Sequence, residues 1–370
     1  MIWCYARSPS HILPEQDEFQ PVFLRKLKMA MLKGKRELLS QGLHWSGARL
    51  LFEKLPEKDV LLVLNYHRIG NAEEDEFDSN VFSVNADQFN EQVAYLKEHL
   101  TLVTLDEALA FIDGKAKDRT PRSRVLITFD DGYMDNYEVA FPILRSHGAQ
   151  GVFFLTTDLV GSCRVPWWDA IAYIIKSARR KQFTLRFPYH LSVDIEQDGL
   201  SDSLRNVVKG YYGPENTDPD RFILELKEAA QGDDPPTTMR RFLNWDEARE
   251  MIAGGMAIGS HTIHHPILSR LGREEQRKEL SQSRATLKDK LGMNAEALAY
   301  PFGVEDSFSA QTMEIAQETG YRAAFSFYGG TNRRGMTRPF NVKRVSIGYQ
   351  SWLRFRVQAA VCRSTGSYWP

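Results

Sequence analysis

The stretch Ile127–Tyr133 reads ITFDDGY. The apolar run Val125–Phe129 before it is rich in β-branched and aromatic residues and short, which predicts a buried strand. Asp130 and Asp131 stand at the C-terminal end of that strand, and Gly132 follows. In α/β folds the carboxyl ends of the strands carry the chemistry. Adjacent side chains at a strand end can point different ways, so one carboxylate can bind a cation while its neighbour faces a water. Asp and Gly are also ordinary turn residues, and the motif alone leaves an acidic turn without function open.

A second stretch narrows the choice. Gly259–Leu268 reads GSHTIHHPIL, with His261 and His265 four apart and Pro266 behind them. The chain has nine histidines, and three fall within these five positions, 261–265. A catalytic metal site keeps three protein ligands and leaves one position for water. Asp131, His261 and His265 would make such a set. An isolated HxxxH is as well explained by a surface cluster; paired with FDDG on another strand end it points to a metal centre.

Together, TFDDG and HTxxHP resemble the polysaccharide deacetylases of carbohydrate esterase family four, the NodB-homology fold. The resemblance covers roughly Asp59 to Ile347, with one long interruption. The opening, YHRI at Tyr66–Ile69 followed by FSVNADQFNEQVAYLKEH and TLVTLDEA, is similar to the biofilm and capsule branch. The resemblance implies hydrolysis of N-acetyl groups on aminosugars of a polysaccharide, glycan precursor or glycolipid. It also implies a divalent metal, usually zinc, held by Asp131, His261 and His265, with Asp130 as general base. The family's third motif, RxPxG, falls on Ala299–Gly303, AYPFG, which makes the Phe302 amide the candidate oxyanion donor. Trp245 resembles the tryptophan of a fourth motif and is a candidate for the acetyl pocket. Tyr133, beside the paired aspartates, is a further candidate substrate contact.

Two departures from the family pattern matter. The motif-three arginine is Ala299 here, and Arg344, at the start of a late strand, is the candidate replacement. No LxxH stands near the C-terminus, since the last histidine is His265. His67, which closes the first strand, is the candidate acid or substrate contact. These departures keep two other readings open. One is a degenerate, carbohydrate-binding member; the other is an amidohydrolase for small molecules on the same scaffold.

Composition sets the remaining bounds. With 370 residues, a net charge of −1 and 26% charged residues, nothing favours nucleic acid as a partner. Cys4, Cys163 and Cys362 form no CxxC spacing. No apolar run reaches membrane-span length, and MIWCYARSPSH lacks the pattern of a secretory signal, so the cytoplasm or the membrane periphery is the expected compartment. Val22–Leu55 reads as basic helices that either touch an anionic membrane or pack outside the main domain. Alternating strands and helices predict a distorted (β/α)7–8 barrel over residues 56–350, after an N-terminal helical extension at 1–55. Residues 163–244 break the rhythm and are expected as an insertion of helices and a hairpin. It is either a lid or wall of the substrate groove or a structural decoration. Residues 351–370 are expected as a C-terminal tail.

Overall fold

The computed structural model describes residues 38–42, 45–46, 54–118, 120–213, 215–348 and 351–367. The apolar runs form parallel strands: β1 (Val60–Tyr66), β2 (Ser123–Phe129), β3 (Gly151–Leu155), β4 (Ala257–Ser260), β5 (Ala297–Ala299), β6 (Ala323–Phe325) and β7 (Val345–Ser346). They pair in the order β6-β5-β4-β3-β2-β1, and β7 pairs with the free side of β1. A parallel bridge from Phe325 to Val342 brings the segment entering β7 against β6 and closes the ring. The result is the distorted barrel that the alternation of elements predicts.

Every residue of β1 and β2 is buried, which is why these strands read as continuous apolar runs rather than alternating ones. Alternate side chains still serve different clusters. Leu62, Leu64, Val125 and Ile127 pack in one cluster with the surrounding helices. Leu61, Val63, Leu126 and Phe154 pack in another with Phe111. The helices start where their caps predict. Helix α1 (Ala86–His99) opens on an Asn85 capping box and buries Phe89, Val93 and Leu96; α2 (Leu105–Ile112) opens on a Thr104 capping box. After β2 come a π-helical turn, Asn136–Ala140, and α3 (Phe141–Ser146). The turn begins at Asn136, whose side-chain amide donates to the His67 carbonyl at 2.7 Å.

The interruption holds α4 (Trp167–Lys176), an antiparallel hairpin of Gln182–Leu185 with Leu191–Asp194, α5 (Leu200–Tyr212) and α6 (Pro219–Ala230). It has its own apolar centre, including Ile171, Leu185, Leu204, Phe222 and Leu226. The barrel resumes with α7 (Trp245–Ala253), α8 (Arg273–Leu291) and α9 (Ala310–Glu318). Residues 351–370, expected as a tail, contain helix α10 (Trp352–Thr365), capped by Ser351. Its Phe355, Ala359 and Cys362 are buried in the same cluster as β1 and α1. That helical period is present in the sequence but interleaved with Arg354, Arg356 and Arg363, which mask it.

The expected helices over 22–55 lie mostly outside the described residues, of which 38–42 are helical. Among the described residues, no helix is long and apolar enough to cross a membrane.

Candidate active site

The turn after β2 separates its two carboxylates. Asp131 has φ 72° and Gly132 φ 82°, both in the left-handed region, which costs a β-carbon-bearing residue energy. A Cβ on Gly132 would stand 2.7 Å from Leu155 Cδ2, so the turn needs glycine there. Asp130 is left facing β1 and β7, and Asp131 faces the loop after β4.

That loop is pinned along its length. Thr262 (φ 67°) and His265 (φ 58°) are also left-handed. The His265 amide donates to Thr262 Oγ1 at 3.1 Å. Glu279 of α8 accepts the amides of Ile263 and His264 at 2.9 and 3.1 Å, and its other oxygen lies 2.7 Å from His264 Nδ1. His264 is thereby turned to Glu279. A 3-10 turn follows at Leu268–Arg270.

His261 Nε2 and His265 Nε2 each come to rest 3.6 Å from Asp131 Oδ1. Ligand atoms of the three residues lie within 4.8 Å of one another. These spacings are too long for hydrogen bonds. They suit two donors around one tetrahedral cation, whose ligand atoms stand roughly 3.4 Å apart. Asp131 Oδ1 is buried and has no hydrogen-bond partner among the described residues. Burial, and then Asp130 and Asp169, push the Asp131 carboxyl well up, a cost that a bound cation would remove. His261 Nδ1 lies 2.8 Å from the Ala299 carbonyl, which can only accept, so the lone pair of Nε2 is turned to Asp131. Burial lowers the pKa of both histidines and keeps them neutral, as ligands must be. The donor set therefore fits a divalent cation.

Asp130 is held differently. Arg344 is fully buried and grips both its oxygens, Nη1 to Oδ1 at 2.7 Å and Nη2 to Oδ2 at 2.8 Å. Asn65 Nδ2 adds 3.0 Å to Oδ2, and Asn65 Oδ1 accepts from Arg344 and Thr128. Burial pushes the Asp130 carboxyl up, but the Arg344 guanidinium outweighs it through its charge and its hydrogen bonds and holds it well below the usual range. The guanidinium that motif three lacks at Ala299 thus reaches Asp130 from β7's edge. His67 Nε2 is 4.0 Å from Asp130 Oδ2, and burial, only partly offset by Asp130, lowers its pKa to about 4.

Phe302 (φ 60°) sits in the turn Pro301–Gly303, its ring 5.2 Å from that of His265. The structure does not bring Trp245 or Tyr133 into this cavity. Trp245 packs at the start of α7 against the barrel core. Tyr133 is fully buried, its hydroxyl occupied by Asp169 and Trp168. The cavity, about 500 Å³, has His67, Asp130, Asp131, His261 and His265 in its lining. Facing them are Phe302 and, from the interruption at 163–244, Trp167, Trp168 and Tyr212. The Trp167 ring stacks 6.0 Å from Phe302. The interruption is thus a wall of the site. Sequence reasoning missed Asn65, Trp167, Trp168, Asp169 and Tyr212. The signals were a polar residue ending an apolar strand, and paired tryptophans before an aspartate at a helix start.

The fold and this donor set define an α/β barrel with a candidate metal centre at the carboxyl ends of its strands. The chain belongs to the polysaccharide deacetylase family, whose model matches residues 117–324. It is 22% identical to YxkH of Bacillus subtilis over 277 residues, covering 74% of this chain and 67% of that one. It is 34% identical over 116 residues to the poly-β-1,6-N-acetyl-D-glucosamine N-deacetylase of Staphylococcus epidermidis; that match covers 29% of this chain and 39% of the relative's length. Among solved structures it is similar to IcaB from Ammonifex degensii (TM-score 0.55, 22% identity, 83% of this chain and 100% of that one). It is also similar to Streptococcus pyogenes deacetylase PplD, solved with acetate (TM-score 0.54, 19% identity, 81% and 98%). At these identities the two structural likenesses are of fold.

Proposed function

We propose that this chain is a metal-dependent N-deacetylase acting on a polymer of N-acetylglucosamine. The observation that carries the reading is the division of labour between neighbours: Asp130 clamped by a buried arginine, and Asp131 left unpaired beside two neutral histidines. A divalent cation, zinc by family resemblance, would supply Lewis acidity there, acidifying water and polarising the acetamide carbonyl. Asp131, His261 and His265 would hold it. Asp130 takes a proton from the attacking water, and Arg344 with Asn65 fixes the carboxylate that does so. The Phe302 amide is the candidate donor to the oxygen that becomes negative. The proton must then reach the leaving nitrogen, and His67, 4.0 Å from Asp130, stands on that route. The aromatic wall of Trp167, Tyr212 and Phe302 suits the apolar faces of sugar rings. The staphylococcal relative's named substrate supports poly-β-1,6-N-acetylglucosamine as the first polymer to try.

Acetate release from a panel of N-acetylated glucosamine oligomers tests this, with chelator and with zinc added back. Release that chelator removes and zinc restores, and that Asp130→Asn lowers by about 10²–10⁴-fold, is the expected result. Stoichiometric metal with no acetate from any acetylated polymer would instead favour a carbohydrate-binding member without catalysis.

A further inference from the structure

The two candidate histidine ligands are oriented by different means. His261 has a hydrogen bond on its outer nitrogen, to the Ala299 carbonyl. His265 Nδ1 is buried and has no partner among the described residues. The His265 ring is instead wedged between three others: Trp168 at 4.7 Å, His261 at 4.8 Å and Phe302 at 5.2 Å. A ligand with no hydrogen bond to fix its torsion depends on the stiffness of what it packs against.

Trp168 is stiff for a traceable reason. Its Nε1 donates to the Tyr133 hydroxyl at 2.7 Å. That hydroxyl donates onward to Asp169 Oδ2 at 3.1 Å. Arg241 Nη2 pairs with the same oxygen at 3.1 Å, and the Asp78 amide donates to Asp169 Oδ1 at 3.3 Å. Asp169 and Tyr133 are fully buried. An indole N–H and a phenol in such a place keep their partners because losing one strands a buried polar group. The chain of contacts runs from the interruption at 163–244 to the loop after β4.

We infer that Tyr133, Asp169 and Arg241 are positioning residues that fix the metal ligand His265 through Trp168. On this view the insertion is part of the metal centre, not only a wall beside it. The inference rests on the proposed metal-dependent reading. Partners that orient a metal-ligating histidine typically change metal affinity 10–100-fold when removed, and here the orienting contact is a packed ring.

The test is zinc affinity, by competition with a chromophoric chelator, and the visible absorption of the cobalt(II) form, on the full chain. Tyr133→Phe keeps the ring and removes the link between Trp168 and Asp169. Asp169→Asn breaks the next link. Tyr95→Phe, which removes a part-buried hydroxyl from a tyrosine outside the cavity lining, controls for general loosening. The expected result is zinc binding weakened by about tenfold or more and an altered cobalt spectrum in Tyr133→Phe and Asp169→Asn. Tyr95→Phe should match wild type. A folded Tyr133→Phe with wild-type affinity and spectrum overturns the inference and leaves the deacetylase reading intact. A wild-type chain that takes up neither metal overturns both.

Discussion

At Asp130 the cationic partner comes from residue 344, some forty positions after the motif that usually carries it, and the bond is two-pronged. A lysine there keeps the charge but cannot fork across both oxygens or also reach Asn65 and the Ser326 carbonyl. Arg344→Lys should therefore fold, with kcat down by roughly 10–100-fold and KM little changed, since a misplaced base weakens the reaction rather than substrate binding. A kcat within a few-fold of wild type would remove Arg344 from the mechanism. His67 allows a second test, of stability. Its pKa falls from the ordinary 6.5 to about 4 on folding. Between those values the unfolded chain binds a proton that the folded one does not, so this group's contribution erodes stability as pH falls from 6.5 towards 4 and is neutral above. In chelator-treated protein, the urea midpoint of His67→Gln should gain on wild type between pH 7 and pH 4.5; an unchanged gap would mean that the folded imidazole titrates normally. The sequence exposed Asp130, Asp131, His261 and His265 because ligand-type side chains at strand ends are rare by chance. Asn65 stayed hidden because an asparagine near the end of a strand looks like the start of a turn, and Trp245 misled because a tryptophan at a helix start looks alike facing inward or outward.

Among elements, the strands and most helices were legible because burial on both faces and capping boxes leave local marks. Helix α10 was not, since its burial depends on β1 and α1, which no local pattern reports. The π-helical turn at Asn136–Ala140 was not either, for its start is tied to the His67 carbonyl far away in sequence. The Pro301–Gly303 turn lies between these cases: a Pro and a Gly flag it, but only the fold shows how tightly it sits. Gly303 has φ 64°, and a Cβ there would stand 2.7 Å from Phe327 Cβ and 2.8 Å from its backbone nitrogen. Gly148 has the same φ and open space around its Cβ position. Gly148→Ala should cost about 1–2 kcal/mol of stability, the left-handed penalty alone, with deacetylation unchanged. Gly303→Ala should cost more, because the backbone must shift, and it should displace Phe302 and depress kcat. Thermal denaturation and kcat on both variants decide it; equal losses would mean that the turn yields freely.

Across the whole molecule, the cavity gathers the ends of β1 and β2, the loops after β4 and β5, β7's edge and the insertion onto one rim of the barrel. The parallel order of β1 to β7 made that gathering foreseeable, because each of these strands delivers its carboxyl end to the same side. Closure through 342–346 was less so, as it rests on one bridge and a two-residue strand. This geometry has a thermodynamic consequence. A cation held by Asp131, His261 and His265 joins the end of β2 to the loop after β4 and binds only the folded chain. Free zinc at a hundred times its Kd should then stabilise the fold by about 2.7 kcal/mol and raise Tm by roughly 3–4 °C. Asp131→Asn and His265→Ala should abolish the rise. Asp130→Asn should keep most of it, although residue 130 adjoins residue 131, because the Asp130 carboxylate is committed to Arg344 and Asn65 rather than to the triad. Differential scanning calorimetry with zinc and with chelator reads all four proteins. If Asp130→Asn loses the zinc shift as completely as Asp131→Asn, the two carboxylates share one task and the separation argued from the turn at Asp131–Gly132 is wrong.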